Sequence, residues 1–126
     1  MKYRLSVKSV PAKKRIQLRG SKSESNRLLI LQNLLGGFTI DNLSDSVDTQ
    51  VLKKALECDE KLIDVGHAGT AMRFLTAYYA IQDGRTTILK GSERMHQRPI
   101  APLVEALQNM GAEVRYMEKE GYPPLA

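Results

Sequence analysis

The sequence predicts an α/β fold with some parallel strand pairing. Helical and strand patterns alternate along the chain. Its two halves also resemble each other, with a period of roughly fifty residues. Asn26-Arg27-Leu28-Leu29 sits over Met72-Arg73-Phe74-Leu75, and Leu52, Ala55 and Leu56 sit over Leu103, Ala106 and Leu107. The first helix of each half is apolar on nearly every side, which predicts interior helices.

Tyr3 to Val7 alternates and predicts a short strand, which Pro11 breaks; Arg15 to Arg19 predicts a second. Ser21-Lys22-Ser23-Glu24 is a capping-box pattern and opens a helix that runs to Leu35 and stops at Gly36-Gly37. Phe38 to Leu43 reads as a strand. Ser46 to Glu57 reads as an amphipathic helix with a stripe of Val47, Val51, Leu52, Ala55 and Leu56, and Asp48 suits its first turn. Lys61 to Val65 is the next strand. The second half repeats this order: a helix from Ala68 to Ile81, a strand from Arg85 to Lys90, a helix from Pro99 to Met110 and a strand from Glu113 to Met117. Pro99 suits a first helical position, Gly111 closes the helix, and Ile100, Leu103, Val104 and Leu107 form its buried stripe. Gly121-Tyr122-Pro123-Pro124 reads as a stop.

The 126 residues suffice for one domain with a core, and 42% hydrophobic content argues against disorder. No apolar run approaches a membrane span, and the first residues do not open a secretory signal. A single cysteine, Cys58, cannot form an internal disulfide. A cytoplasmic protein with no membrane partner is expected. The net charge of +5 points to anionic ligands. Cations cluster at Lys13, Lys14, Arg15, Arg19, Lys22 and Arg27, and again at Arg94 and Arg98. With 6% aromatic residues a base-stacking platform is hard to assemble, so no nucleic acid partner is expected.

Cations at a helix N-terminus are normally unfavourable. Yet Lys22 stands at the start of one apolar helix, and Arg27 lies four residues after Ser23 on the same face. Arg98 precedes Pro99 at the mouth of the last helix. A bound anion resolves the conflict, since exposed N–H groups, the helix dipole and added cations all attract phosphate or carboxylate. Ser21 and Ser23 can donate to the same oxygens. The blander reading is that Ser21 and Glu24 cap a helix while Lys22 is solvated. His67-Ala68-Gly69-Thr70 opens the second apolar helix; Gly69 permits close approach of a ligand, and Thr70 can cap or donate. Arg73 is better matched by a buried carboxylate or carbonyl partner than by substrate. Arg94 and His96 lie in a polar loop. His67, His96 and Cys58 lack metal-ligand spacing, so neither a metal nor another cofactor is expected. No constellation suggests a covalent nucleophile.

Four segments, taken together, resemble one family. Gly20-Ser21-Lys22-Ser23-Glu24-Ser25-Asn26-Arg27, Ala68-Gly69-Thr70-Ala71-Met72-Arg73, Arg94-Met95 with Arg98-Pro99-Ile100, and Tyr122-Pro123-Pro124-Leu125 are similar to signatures of 5-enolpyruvylshikimate-3-phosphate synthases, in the same order. That family transfers the enolpyruvyl group of phosphoenolpyruvate to shikimate 3-phosphate, releasing phosphate, in the pathway to chorismate and the aromatic amino acids. The resemblance implies the enolpyruvyl transferase fold of repeated βαβαββ units. About two would be present here, at about 14–66 and 67–120, within a partial domain of residues 14–126; residues 1–13 would give a strand to the other domain. It implies that Lys22 contacts both substrates, that Ser23 and Arg27 hold shikimate 3-phosphate, that Arg98 pairs with the phosphoenolpyruvate phosphate, and that Gly69 approaches that substrate through its backbone. Ser21, His67 and Thr70 are further candidates. Three departures stand out: His67 replaces the family's usual asparagine, Phe74 replaces a frequent proline, and the stretch between Leu56 and Asp64 is short, so the first repeat is expected to lack a strand pair.

The family's proteins are several times longer, and its catalytic carboxylates lie in parts this chain does not match. A fragment that binds anions weakly and does not turn over alone is therefore expected, completed by the remainder of the enzyme chain. Two alternatives are a fragment like UDP-N-acetylglucosamine enolpyruvyl transferase and a basic nucleic-acid-binding module. The first would show a loop cysteine and Lys-Asn where Lys22-Ser23 stand; the second would need its cations on one exposed face.

Overall fold

The computed structural model describes residues 2–4, 6–9, 13 and 15–126. Its elements are α1 (Lys22–Leu35), α2 (Val47–Leu56), β1 (Leu62–Asp64), α3 (Gly69–Ala80), β2 (Ile88–Lys90), a 3-10 turn (Met95–Gln97) and α4 (Ala101–Asn109). β1 and β2 pair in parallel, with Ile63 opposite Leu89, so β1, α3 and β2 form a β-α-β unit. The chain's last residues extend this small sheet. Leu125 pairs antiparallel with Leu89 on one side and with Tyr116 on the other. The segment read from sequence as a stop is therefore a buried return, with Leu125 only 2% exposed.

Helix α3 is the interior element. Ala71, Met72 and Leu75 are fully buried, and Leu52 from α2, Val65 after β1 and Val104 from α4 close around them. Burying each large aliphatic side chain contributes about 1.5–3 kcal/mol. Leucine, methionine and alanine favour the helix, and the wide apolar surface lets α3 pack against α2, α4 and β2 at once.

Several expectations are corrected. α1 is not interior: Ser25, Asn26 and Leu29 are its buried residues, while Leu31, Leu34 and Leu35 are exposed. Apolar character all round asks for cover on all sides, and among the described residues α2 and α3 cover only one face. No strand forms at the described residues of 3–7, nor at 15–19 or 38–43, and Glu113 to Met117 contributes only the bridge at Tyr116. A strand needs a partner edge for its N–H and C=O groups. Among the described residues Ile16 and Leu18 have no such edge, and both stand exposed. At 38–43 the chain turns instead, with Asn42 in the left-handed region at φ 55°. Leu5, the break at Pro11 and Lys14 lie outside the described residues. Val47 leaves the predicted stripe of α2 and is exposed. Pro102, rather than Pro99, occupies the first turn of α4. The caps of α1 agree with expectation: the Ser21 hydroxyl accepts the Glu24 N–H at 3.5 Å, and Gly36 ends the helix at φ 63°.

Candidate functional site

The N-terminus of α3 is the centre of the site. Its first residue, Gly69, lies against the guanidinium of Arg98; a Cβ built there would stand 2.6 Å from Cζ and 2.8 Å from Nη2. Absence of a side chain is what admits the arginine. Arg98 therefore reaches the mouth of α3 as well as standing just before α4, a partner that its sequence position does not reveal. Its guanidinium makes no hydrogen bond or ion pair among the described residues, although its own N–H caps the 3-10 turn by donating to Met95 O at 3.0 Å.

The next N–H of α3 already has a negative partner. Thr70 N donates to Asp48 Oδ1 at 3.1 Å. The other carboxylate oxygen of Asp48 lies 3.7 Å from Lys22 Nζ. Asp48 thus ties the first turns of α1, α2 and α3 together. Thr70 does not cap α3 with its hydroxyl; Ala68 is the N-cap and offers no side-chain bond. Lys22 remains half exposed, and such an ion pair contributes at most about 1 kcal/mol.

Arg27 reaches the same region from α1. It donates to Ser23 O at 2.8 Å and to the Ser23 hydroxyl, and its guanidinium lies 5.8 Å from the centre of the Phe74 ring. Phe74, Gly69, Thr70, Arg73 and Arg98 share the lining of an open cleft of about 490 Å³. Arg73 holds the cleft's frame, donating to Gly69 O at 3.2 Å and to Pro99 O at 3.0 Å. These are the carbonyl partners its position in an apolar helix predicts. Lys22, through Asp48, and Arg98, at Gly69, thus meet the first turn of α3, while Arg27 lies over Phe74 further along the same helix. Ser21 caps α1 beside them.

A family model, EPSP synthase (3-phosphoshikimate 1-carboxyvinyltransferase), matches residues 52–126. The chain belongs to the EPSP synthase family. Curated relatives named 3-phosphoshikimate 1-carboxyvinyltransferase agree with this. One from Bacteroides fragilis (strain YCH46) is 52% identical over 126 residues, covering 99% of this chain and 30% of that protein. One from Mannheimia haemolytica is 42% identical, covering 88% of this chain and 32% of that protein. One from Paraburkholderia phytofirmans is 44% identical, covering 87% and 31% respectively. This EPSP synthase family chain therefore spans about 30% of the length of the first of these relatives.

In this EPSP synthase family member the Gly20–Arg27 segment divides by helix face. Lys22, Ser23 and Arg27 point outward, while Ser25 and Asn26 are buried. Ser25 Oγ accepts Ser44 N–H at 2.9 Å, and Asn26 Oδ1 accepts the Thr49 hydroxyl at 2.7 Å. The inward half clamps α1 onto α2 and so aims the outward half. Asp48 is the residue that sequence reasoning missed in its true role; a carboxylate in a first turn reads equally well as serving its own helix. His67 sits exposed beside the cleft, with Nδ1 2.8 Å from Ser92 Oγ. His96 is not simply solvated: its Nδ1 lies 3.6 Å from Glu118 Oε2 and its Nε2 accepts Gly91 N–H at 3.4 Å. Among the described residues no helix is long and apolar enough to cross a membrane.

Proposed function

We propose that this chain is the N-terminal portion of an enzyme that transfers the enolpyruvyl group of phosphoenolpyruvate to shikimate 3-phosphate and releases phosphate. The name printed for the relatives, 3-phosphoshikimate 1-carboxyvinyltransferase, supports the reaction. The observation that carries the site is that Lys22, through Asp48, and Arg98 stand at the first turn of α3, with Arg27 over Phe74 of the same helix; a helix N-terminus also attracts anions. Both substrates are anions, so fixed cations around a closing cleft stabilise charge as the addition proceeds.

In this reading Lys22 contacts both substrates, and Ser23 with Arg27 holds shikimate 3-phosphate. Arg98 pairs with the phosphate of phosphoenolpyruvate, against the backbone of Gly69. Ser21 and Thr70 lie close enough to contribute, and Asp48 gives up Lys22 when a stronger anion arrives. None of these residues is assigned a bond-making or proton-transfer role, which falls to the remainder of the enzyme. The halves, about 14–66 and 67–120, are read as two repeats of the family's domain, the first lacking a strand pair. The lone Cys58 supports a cytoplasmic setting.

Titration with shikimate 3-phosphate, followed by NMR at the amides of Ser21 to Arg27, tests the binding role. Saturable shifts confined to these amides and those of Gly69 and Thr70 are expected; unmoved amides at millimolar ligand refute it. A coupled phosphate-release assay on the isolated chain is expected to show no turnover. Clear turnover would place the chemistry within these 126 residues and overturn the division of roles.

A further inference from the structure

The loop that carries Arg98 is anchored to the start of α3 at two ends. At the far end Arg73 donates to Pro99 O at 3.0 Å. At the near end Ser92 N donates to Gly66 O at 3.0 Å, and His67 Nδ1 lies 2.8 Å from Ser92 Oγ. Ser92 is also the root of the 3-10 turn. Its carbonyl accepts Met95 N–H at 2.8 Å and His96 N–H at 3.1 Å, and its hydroxyl accepts Met95 N–H at 3.3 Å. Met95 in turn accepts the N–H of Arg98. Gly91 is pressed so close that an added Cβ would lie 2.6 Å from Gly66 O. A continuous chain of hydrogen bonds therefore runs from the His67 ring, through the Ser92 hydroxyl and Met95, to the backbone of Arg98.

From this we propose that His67 is a positioning residue for Arg98: it acts on the anion indirectly, by fixing the Ser92 hydroxyl and with it the turn that presents the guanidinium to Gly69. The inference rests on the anion-site reading for its consequence, but not for its structural content. The ring stands in the segment directly before Ala68-Gly69, so the group that sets the turn and the backbone that receives the guanidinium belong to one short stretch. Bulk at position 67 is not what matters, since the side chain is exposed. What matters is one polar atom at the place of Nδ1. Asparagine can supply such an atom at nearly the same distance from the backbone; leucine fills similar space without it.

Two measurements on the same variants test this. Amide hydrogen exchange of the ligand-free chain reads the turn directly. His67→Leu is expected to speed exchange at Met95, His96 and Arg98 about three- to tenfold, the effect of one ordinary hydrogen bond, with α2 and α4 unchanged. His67→Asn is expected to restore the native rates, and Ser92→Ala to add little on top of His67→Leu, because both remove one link. Titration with inorganic phosphate, read at the Gly69 and Thr70 amides, should weaken by a similar factor in His67→Leu and recover in His67→Asn. Unchanged exchange in His67→Leu, or additive effects with Ser92→Ala, overturns the inference even if phosphate binds. Faster exchange in a chain whose native form ignores phosphate would leave the hydrogen-bond chain standing and refute its role in anion binding.

Discussion

Asp48 Oδ1 accepts the amide of Thr70 at 3.1 Å, so the first turn of α2 supplies the negative charge that the first turn of α3 attracts. The same carboxylate faces Lys22. An internal anion thus occupies the field at the tip of α3, and in the proposed reading a substrate anion competes with it.

Asp48→Asn follows from that competition. The amide oxygen can still accept Thr70 N–H, but the charge is gone and Lys22 is released. Phosphate affinity is expected to rise about three- to tenfold, with unfolding free energy changed by no more than about 1 kcal/mol. Phosphate titration and urea denaturation check both. Weaker binding in the variant would show that the carboxylate orients Lys22 for the ligand instead of competing with it.

Gly69→Ala tests the contact between helix tip and arginine. The new methyl group meets the end of a flexible side chain, so Arg98 swings away and the fold survives, within about 1 kcal/mol of the parent. The expected loss is in anion binding, about tenfold, for one charge-assisted pair removed. If the methyl group were tolerated with full affinity, Arg98 would not need its place against Gly69.

Much of this site is legible in the sequence, and the reasons it stops being legible are physical. Ser23 and Arg27 follow from helical spacing, because residues four apart share a face whatever surrounds them, and Lys22 follows from standing at the start of the helix. Arg73 follows too, since a cation on a buried helix must find acceptors. Arg98 is singled out by its place before α4, but its partner is not: Gly69 is 29 positions away (98 − 69) and is reached only because the 3-10 turn bends the chain back. The misjudged α1 has a related cause. Leu31, Leu34 and Leu35 show that a helix can be covered, but cover belongs to another element, and apolarity alone does not say which face receives it. Its buried face is instead partly polar, with Ser25 and Asn26. The strands expected at 15–19 and 38–43 fail for want of an edge, which no local pattern reveals.

The clamp between α1 and α2 gives a stability prediction. Asn26 is fully buried, its Oδ1 satisfied by Thr49 and its Nδ2 unpaired among the described residues. Thr49→Val keeps the shape but leaves the Asn26 oxygen without a donor, which is expected to cost about 1–3 kcal/mol. Asn26→Leu with Thr49→Val removes the orphaned groups together and should cost less than the sum of the single changes. Urea denaturation of the four proteins measures the coupling; strict additivity would mean the two side chains do not share a bond.

Tyr79 predicts how stability changes in alkali. Its hydroxyl donates to Ala55 O at 2.8 Å, joining α3 to the end of α2, and Arg85 stacks on its ring at 4.9 Å. Burial pushes the phenol above its ordinary value; the nearby Arg85 charge opposes the shift without cancelling it. The folded state therefore holds the phenolic proton more tightly than the unfolded chain does. Below about pH 10, where the phenol is protonated in both states, this contribution is fully present; above it the unfolded chain ionises first and stability falls until the folded phenol also titrates. Tyr116, also raised by burial, adds to the same decline. Tyr79→Phe is expected to cost about 1 kcal/mol at neutral pH through the lost bond, and to make the fall between pH 9.5 and 11 shallower, though not flat, because Tyr116 remains. Urea denaturation across that interval checks the slope. An unchanged slope in Tyr79→Phe would show that the phenol ionises equally easily in both states, and that burial at the junction of α2 and α3 does not hold its proton.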